Sequence, residues 1–249
     1  MQRIRQTGKH LMTWRMDSTV KAILFDKDGT LVDFDRTWAA TNRKAALIAA
    51  DGPALADVLL LECGMDPATG KTRADSMFAA ANAGEIAAHM AAHGSPLDPI
   101  QLARLLDQAF VEGAESPWPM CDLDPLLGGL TGAGYHLGIA SSDGEAGIRR
   151  TVEVLGLARH IGFIAGYDSG HGPKPEPGMI QAFARHLGLS VSEIAMVGDN
   201  GHDMEMARAA GAGAAIGVLS GTGTAETLSS LADVCIASVA DLPSLLAQR

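Results

Sequence analysis

Cysteine is scarce in this chain. Cys63, Cys121 and Cys235 are far apart and odd in number. They offer neither a disulfide framework nor a CxxC metal site, so a reducing, cytoplasmic location is expected. Long hydrophobic runs are lacking too: no apolar stretch approaches the roughly 18–20 residues a membrane span needs, and no membrane partner is expected. Positive charge is in deficit, with 19 Lys and Arg against 29 Asp and Glu and a net charge of −10. That balance argues against a protein that coats the phosphate backbone of nucleic acid. Internal repeats and low-complexity segments are missing as well, so the chain is neither a repeat array nor a biased linker. What is present, 249 residues of which 47% are hydrophobic, suffices for one large domain or for a core domain with a smaller partner.

The charge is unevenly placed. Residues 1–16 carry Arg3, Arg5, Lys9 and Arg15 and no acid. Their apolar patches are too short for a secretory signal, so residues 1–19 read as a poorly ordered tail. From there VKAILF (20–25) is a short β-prone run that stops at DKDGT, the pattern of a buried parallel strand. Residues 34–112 then turn Ala- and Leu-rich. Helices are expected in TWAATNRKAALIAA, PALADVLLLEC, ADSMFAAANAGEIAAHMAAH and PIQLARLLDQAFVE, punctuated by Gly52-Pro53, Gly94-Ser95-Pro96 and Asp98-Pro99. Gly113–Pro119 is the best linker. Beyond it strand and helix alternate: HLGIA, EAGIRRTVEVLG, GFIAG, PGMIQAFARHLG, EIAMVG, HDMEMARAAG, GAAIGV, DVCIA and a last helix at 241–247. The expected fold is an α/β, doubly wound parallel (Rossmann-like) sheet formed by 20–33 and 113–249, with 34–112 as a helical insertion after the first strand.

Ligands bind such sheets outside the carboxyl ends of the strands, and four segments put reactive groups there. In FDKDGTLVD, Asp26 and Asp28 follow the first strand, and Gly29 permits a tight turn that presents N–H groups to an anion. In GIASSDG, Ser141 and Ser142 follow a strand, where either could simply cap the next helix. In GHGPKPEPG, Lys174 stands between prolines that stiffen the segment. In MVGDNGHDMEMA, Asp199 ends a strand and Asp203 opens a helix, where an acid often only complements the dipole. Each alone is commonplace. Together, several carboxylates at one sheet edge would repel one another and have raised pKa values unless a cation sits among them. Hard oxygen ligands suit Mg²⁺. That cation, Lys174 and the hydroxyls make a pocket for a dianion such as phosphate, with one carboxylate left to act as nucleophile.

In this order and strand context, DKDGT … SS … KPEPG … GDNGHD resembles the phosphatase branch of the haloacid dehalogenase superfamily over about residues 20–247. The resemblance implies that Asp26 is the phosphoryl-accepting nucleophile. Asp28 would be the acid for the leaving alcohol and then the base for water, its backbone carbonyl also binding Mg²⁺. Ser141, through hydroxyl and backbone donors, Ser142, Gly29 and Lys174 would hold the phosphate; Asp26 and Asp199 would also bind Mg²⁺, with Asp203 as a further ligand or as a carboxylate supporting the ligands. Independently, an acid two residues from the nucleophile can reach the leaving oxygen, since alternate residues face one way along an extended chain. Residues 34–112 would be the cap that closes over the site, with Arg36, Arg43, Lys44, Lys71, Arg73 and the His89/His93 pair as candidate substrate readers. The two histidines share a helical face but lack an evident third ligand, so a zinc site is not expected. Met77, Met90 and Met120 are expected to pack.

The C-terminal GVLSGTGTAETLSSLADVCIASVADLPSLL resembles the tail of phosphoglycolate phosphatase-like members. Lys27, where an aromatic is common, and Asn200, where Ser or Thr is common, depart from the pattern. The expected function is Mg²⁺-dependent hydrolysis of a small phosphorylated metabolite, phosphoglycolate being one candidate, by a monomer or homodimer. The alternatives are a sugar phosphomutase, which would return the phosphate to the sugar, and a phospho-aspartate switch module without turnover.

Overall fold

The computed structural model describes residues 19–247, so nearly all of the expected basic tail lies outside the described residues. The run VKAILF yields β1 (Ala22–Phe25), buried at every position. After the linker come β2 (His136–Ala140), β3 (Ile161–Ala165), β4 (Ile194–Gly198), β5 (Ala214–Val218) and β6 (Val234–Ile236). All pairings are parallel, in the order β3-β2-β1-β4-β5-β6. The order reverses between β1 and β4, which makes their carboxyl ends the switch point where a crevice opens.

Side-chain alternation along β1 sorts the two faces. Ile23 and Phe25 join one apolar cluster, under α6 (Leu123–Gly132), α7 (Glu145–Val154) and α11 (Leu242–Leu246). Ala22 and Leu24 join the other, under α8 (Gly178–Leu187), α9 (Gly201–Ala210) and α10 (Ala225–Leu231). The sheet is therefore covered on both sides, as a doubly wound fold requires.

Between β1 and α6 run α1 (Phe34–Ala49), α2 (Pro53–Glu62), α3 (Met77–Ala80), α4 (Ala83–Ala92) and α5 (Pro99–Gly113). They enclose a third apolar cluster built on Trp38, Leu59, Met90 and Leu106, with Met77 packed against it. Met120 packs beneath the sheet instead. The two chain crossings that join this block to the sheet are bonded to each other: Asp33 N donates to Trp118 O and Met120 N to Leu31 O, both at 2.8 Å.

Three elements differ from the sequence expectation. The stretch 74–93 is not one helix but α3 and α4, broken at Asn82. There a capping box forms, with Asn82 Oδ1 accepting from Glu85 N at 3.1 Å and Glu85 Oε2 accepting from Asn82 N at 2.9 Å; local capping wins over the continuous Ala-rich pattern. Helix α6 (LDPLLGGLTG) was not expected because Pro125 and three glycines mask it. It persists because Leu123, Leu127 and Leu130 are buried against the sheet. Helix α10 was hidden in the Ser- and Thr-rich tail, and starts where Thr224 Oγ1 accepts from Thr227 N at 3.1 Å. Among the described residues, no helix is long and apolar enough to cross a membrane.

Candidate active site

Phe25 lies opposite Val197 in the β1–β4 pairing, and Asp26 N donates to Val197 O at 2.8 Å. Asp26 and Asp199 therefore leave the sheet side by side at the switch point. Asp203 joins them from the first turn of α9, its Oδ2 accepting from Asn200 N at 3.1 Å. Carboxylate oxygens of Asp26, Asp199 and Asp203 all lie within 4.8 Å of one another, and all three residues are buried. Lys174 reaches this group from the loop after β3, its Nζ 2.5 Å from Asp26 Oδ1 and 2.6 Å from Asp203 Oδ1.

One ammonium does not balance three enclosed carboxylates. Burial is the largest influence on Asp26 and, with the charges of Asp203 and Asp28, pushes it up to about 7 against the opposing pull of Lys174. Burial again, with Asp26 and Asp203, lifts Asp199 well above the usual carboxylate range. Burial alone would drive Lys174 down, but Asp203 and Asp26 more than offset it and hold the ammonium above its ordinary value. A cluster of hard oxygen donors with surplus negative charge fits a divalent cation.

The neighbouring backbone is shaped around these acids. Gly29 has φ +81°, and a Cβ there would fall 2.5 Å from Asp199 Oδ2; contrary to expectation it does not line the cavity, and its N–H is given to Val32 O at 2.7 Å and not to an anion. A loop after β5 closes the other side: Thr222 N donates to Asp199 Oδ2 at 2.8 Å and Ser220 Oγ to the Gly29 carbonyl at 2.8 Å. At Gly221 a Cβ would meet Asp199 Oδ2 at 1.9 Å. This support was invisible in the sequence, where 220–224 showed only a run of small residues.

Ser141 follows β2 and is buried. One expectation needs correction here: its backbone N–H is already given to Ala165 O at 3.0 Å, so Ser141 offers a ligand its hydroxyl and not its own amide. That oxygen accepts from Asp143 N at 3.1 Å. Ser141, Ser142, Lys174, Asp26, Asp28, Asp199 and Asp203 all line one cavity.

Asp28 stands apart from the three clustered acids. Its carboxylate accepts from Lys27 Nζ at 2.8 Å and from Trp38 Nε1 at 2.5 Å. Lys27, read in the sequence only as a departure, is 1% exposed, pairs with Asp28 at 2.6 Å and Asp143 at 3.2 Å, and lies 4.7 Å from the Trp38 ring centroid. Burial works to lower its pKa, yet Asp28 and Asp143 raise it on balance, so it stays an ammonium. Asn200, the other departure, caps α9 by accepting from His202 N at 3.1 Å. Asp143 and Trp38 escaped the sequence reading because their roles exist only once distant elements meet. A GIASSDG turn marked Asp143 as adjacent; nothing marked Trp38.

The seven basic residues singled out in 34–112 do not line the cavity. Arg36 lies 3.3 Å over the Trp118 ring, and Arg43 donates to the Pro67 carbonyl at 2.6 Å. Lys44 pairs with Glu112, Lys71 with Asp35, and Arg73 donates to the Leu61 carbonyl. His89 and His93 stack at 4.1 Å. Contrary to expectation they do have a third potential ligand, since Glu62, from the neighbouring α2, lies within reach of both. The residues of this block that do face the acids are chiefly aromatic or small, together with Asn42 and Asp107.

Comparison with known proteins agrees with this architecture. Residues 20–211 match the model of the family described as hydrolase, haloacid dehalogenase-like hydrolase. The phosphoglycolate phosphatase of Rhodospirillum rubrum is 32% identical over 200 residues, spanning 77% of this chain and 76% of that protein. Among solved structures, a predicted phosphoglycolate phosphatase from Haemophilus somnus superposes with a TM-score of 0.73 at 19% identity, covering 92% of this chain and 99% of the other. A hydrolase from Pseudomonas syringae gives 0.69 at 22% identity over 92% and 98%.

Proposed function

The chain belongs to the haloacid dehalogenase-like hydrolases and is a phosphoric monoester hydrolase, and on that premise we propose that it hydrolyses a small phosphorylated metabolite through an aspartyl-phosphate on Asp26. The observation that carries this is the seating of one ammonium, Lys174 Nζ, between Asp26 Oδ1 and Asp203 Oδ1 at the floor of a cavity that Asp28 and Ser141 also line.

In the first half-reaction an Asp26 carboxylate oxygen attacks phosphorus, and the phosphorus–oxygen bond to the leaving alcohol breaks. Asp28, two residues on and held in place by Lys27 and Trp38, gives that alcohol its proton. In the second half, Asp28 takes a proton from water as the water oxygen attacks phosphorus, and Asp26 is released. The Ser141 hydroxyl donates to a phosphate oxygen. Lys174 offsets the charge that builds between carboxylate and phosphoryl group. Asp26, Asp199 and Asp203, with the Asp28 carbonyl, would hold Mg²⁺, which when bound supplies Lewis-acid charge neutralisation to the phosphoryl oxygens. We propose further that α1–α5 act as a cap over this floor, excluding bulk water during transfer. Phosphoglycolate, named for the Rhodospirillum rubrum relative, is one substrate to be assayed.

The test is release of inorganic phosphate from a panel of small monoesters with Mg²⁺. Wild type should release phosphate without any added bisphosphate, a requirement that would instead indicate a mutase. Asp26→Asn should lose turnover altogether while its circular dichroism and melting stay native-like. Substantial activity in that variant would falsify the assignment of the nucleophile.

A further inference from the structure

The cavity wall that faces the acids from α1, α3, α4 and α5 is chemically one-sided. Phe34, Trp38, Phe78, Ile86 and Phe110 line it, with alanines between them. Among the described residues, no Lys or Arg of 34–113 lines the cavity. The charge this wall does carry is negative: Asp107, whose carboxylate accepts from the Tyr167 hydroxyl at 2.9 and 3.0 Å. The ammonium at the floor, Lys174, is already divided between Asp26 and Asp203. Enclosed atoms without a hydrogen-bond partner on the lining include the amide nitrogens Asn42 Nδ2, on this wall, and Asn200 Nδ2, at the floor, where His202 Nδ1 of α9 is also unpartnered.

Against this wall a leaving group carrying a carboxylate would give up its hydration to aromatic rings and face Asp107 with no Lys or Arg of the wall to meet it, which is unfavourable on both counts. An uncharged apolar or aromatic body gains from the same rings by burial. An acceptor oxygen on that body would satisfy Asn42 Nδ2, an enclosed donor that is otherwise costly. Given the phosphatase activity proposed above, we infer that the preferred substrate is the phosphomonoester of an uncharged alcohol with an aromatic or aliphatic body and an acceptor oxygen, rather than of a hydroxy acid.

The experiment compares phosphate release by the full chain with Mg²⁺ from three esters: phosphoglycolate, its neutral carboxamide, and benzyl phosphate. The first two differ essentially in charge. Both neutral esters should exceed phosphoglycolate in kcat/KM by about tenfold or more, the scale set by charge mismatch in an enclosed site. Asp107→Asn should narrow the carboxamide-to-acid ratio, whereas a merely structural loss would lower all three esters together. Phosphoglycolate turned over as well as its carboxamide overturns the inference and leaves the phosphatase standing. No release from any ester by folded wild-type protein overturns the phosphatase proposal itself, and the substrate preference with it.

Discussion

At the scale of single residues, Lys27 is a buried cation whose loss would be felt on two sides. Its ammonium is fully enclosed and answers two carboxylates, Asp28 and Asp143. Replacing it with Met keeps the volume but strands both acids, and loss of one partner of a buried pair costs on the order of 3–5 kcal/mol. Lys27→Met should therefore unfold at clearly lower urea concentration, and Lys27→Met combined with Asp143→Leu should recover part of the loss. Equal melting of wild type and Lys27→Met would show that the pair is not maintained in solution. The catalytic candidates themselves were legible in the sequence, because Asp26, Asp28, Ser141 and Asp199 follow strands closely, Lys174 lies in a loop with distinctive neighbours and Asp203 opens a helix just after a strand. Their partners were not. Trp38, Asp107 and Tyr167 reach the site from helices and loops whose local sequence is ordinary, and only the three-dimensional packing gives them a function.

At the scale of elements, every strand was legible because short β-prone runs ended at turn residues, and the structure moves their ends by only a residue or two. The helices were legible where an apolar face recurred and opaque where Gly, Pro or Ser interrupted it, as in α6 and α10. The loop 219–224 is the clearest case of function hidden in composition. Its glycines exist for close approach to Asp199, and at Gly221 a Cβ would lie 1.9 Å from Asp199 Oδ2. Gly221→Ala should push that carboxylate or the loop aside. The expected result is weaker Mg²⁺ binding, with the activation curve shifted about tenfold or more to higher concentration and little change in far-UV dichroism. An unshifted metal titration would mean that the loop yields instead of the acid.

At the scale of the whole molecule, the net charge of −10 says little about chemistry, whereas the enclosed acids at the switch point say a good deal. Asp26 is pushed up to about 7 and Asp199 is raised as well, both chiefly by burial. Between the ordinary carboxylate range and that raised value, the folded metal-free chain keeps protons that the unfolded chain has given up. These groups therefore make stability fall as pH rises from about 4 towards 7. A divalent cation competes with those protons and binds only the folded form, so its stabilisation should grow with pH. Thermal melts with and without Mg²⁺ should show a larger gain at about pH 7.5 than at about pH 5. A gain independent of pH would place the ion elsewhere. One further consequence concerns light. Trp38 is 5% exposed and donates its indole N–H across the cavity to Asp28, so the helical block α1–α5, the proposed cap, carries its own chromophore at the seam. With Trp14→Phe and Trp118→Phe removing the other indoles, Trp38 emission should move to longer wavelength whenever the seam admits water. Adding Mg²⁺ with orthovanadate, a mimic of the transferring group, should return the emission to shorter wavelength. Stopped-flow fluorescence then records closure directly, on the microsecond-to-millisecond scale typical of such motions; emission indifferent to vanadate would mean that the seam does not open.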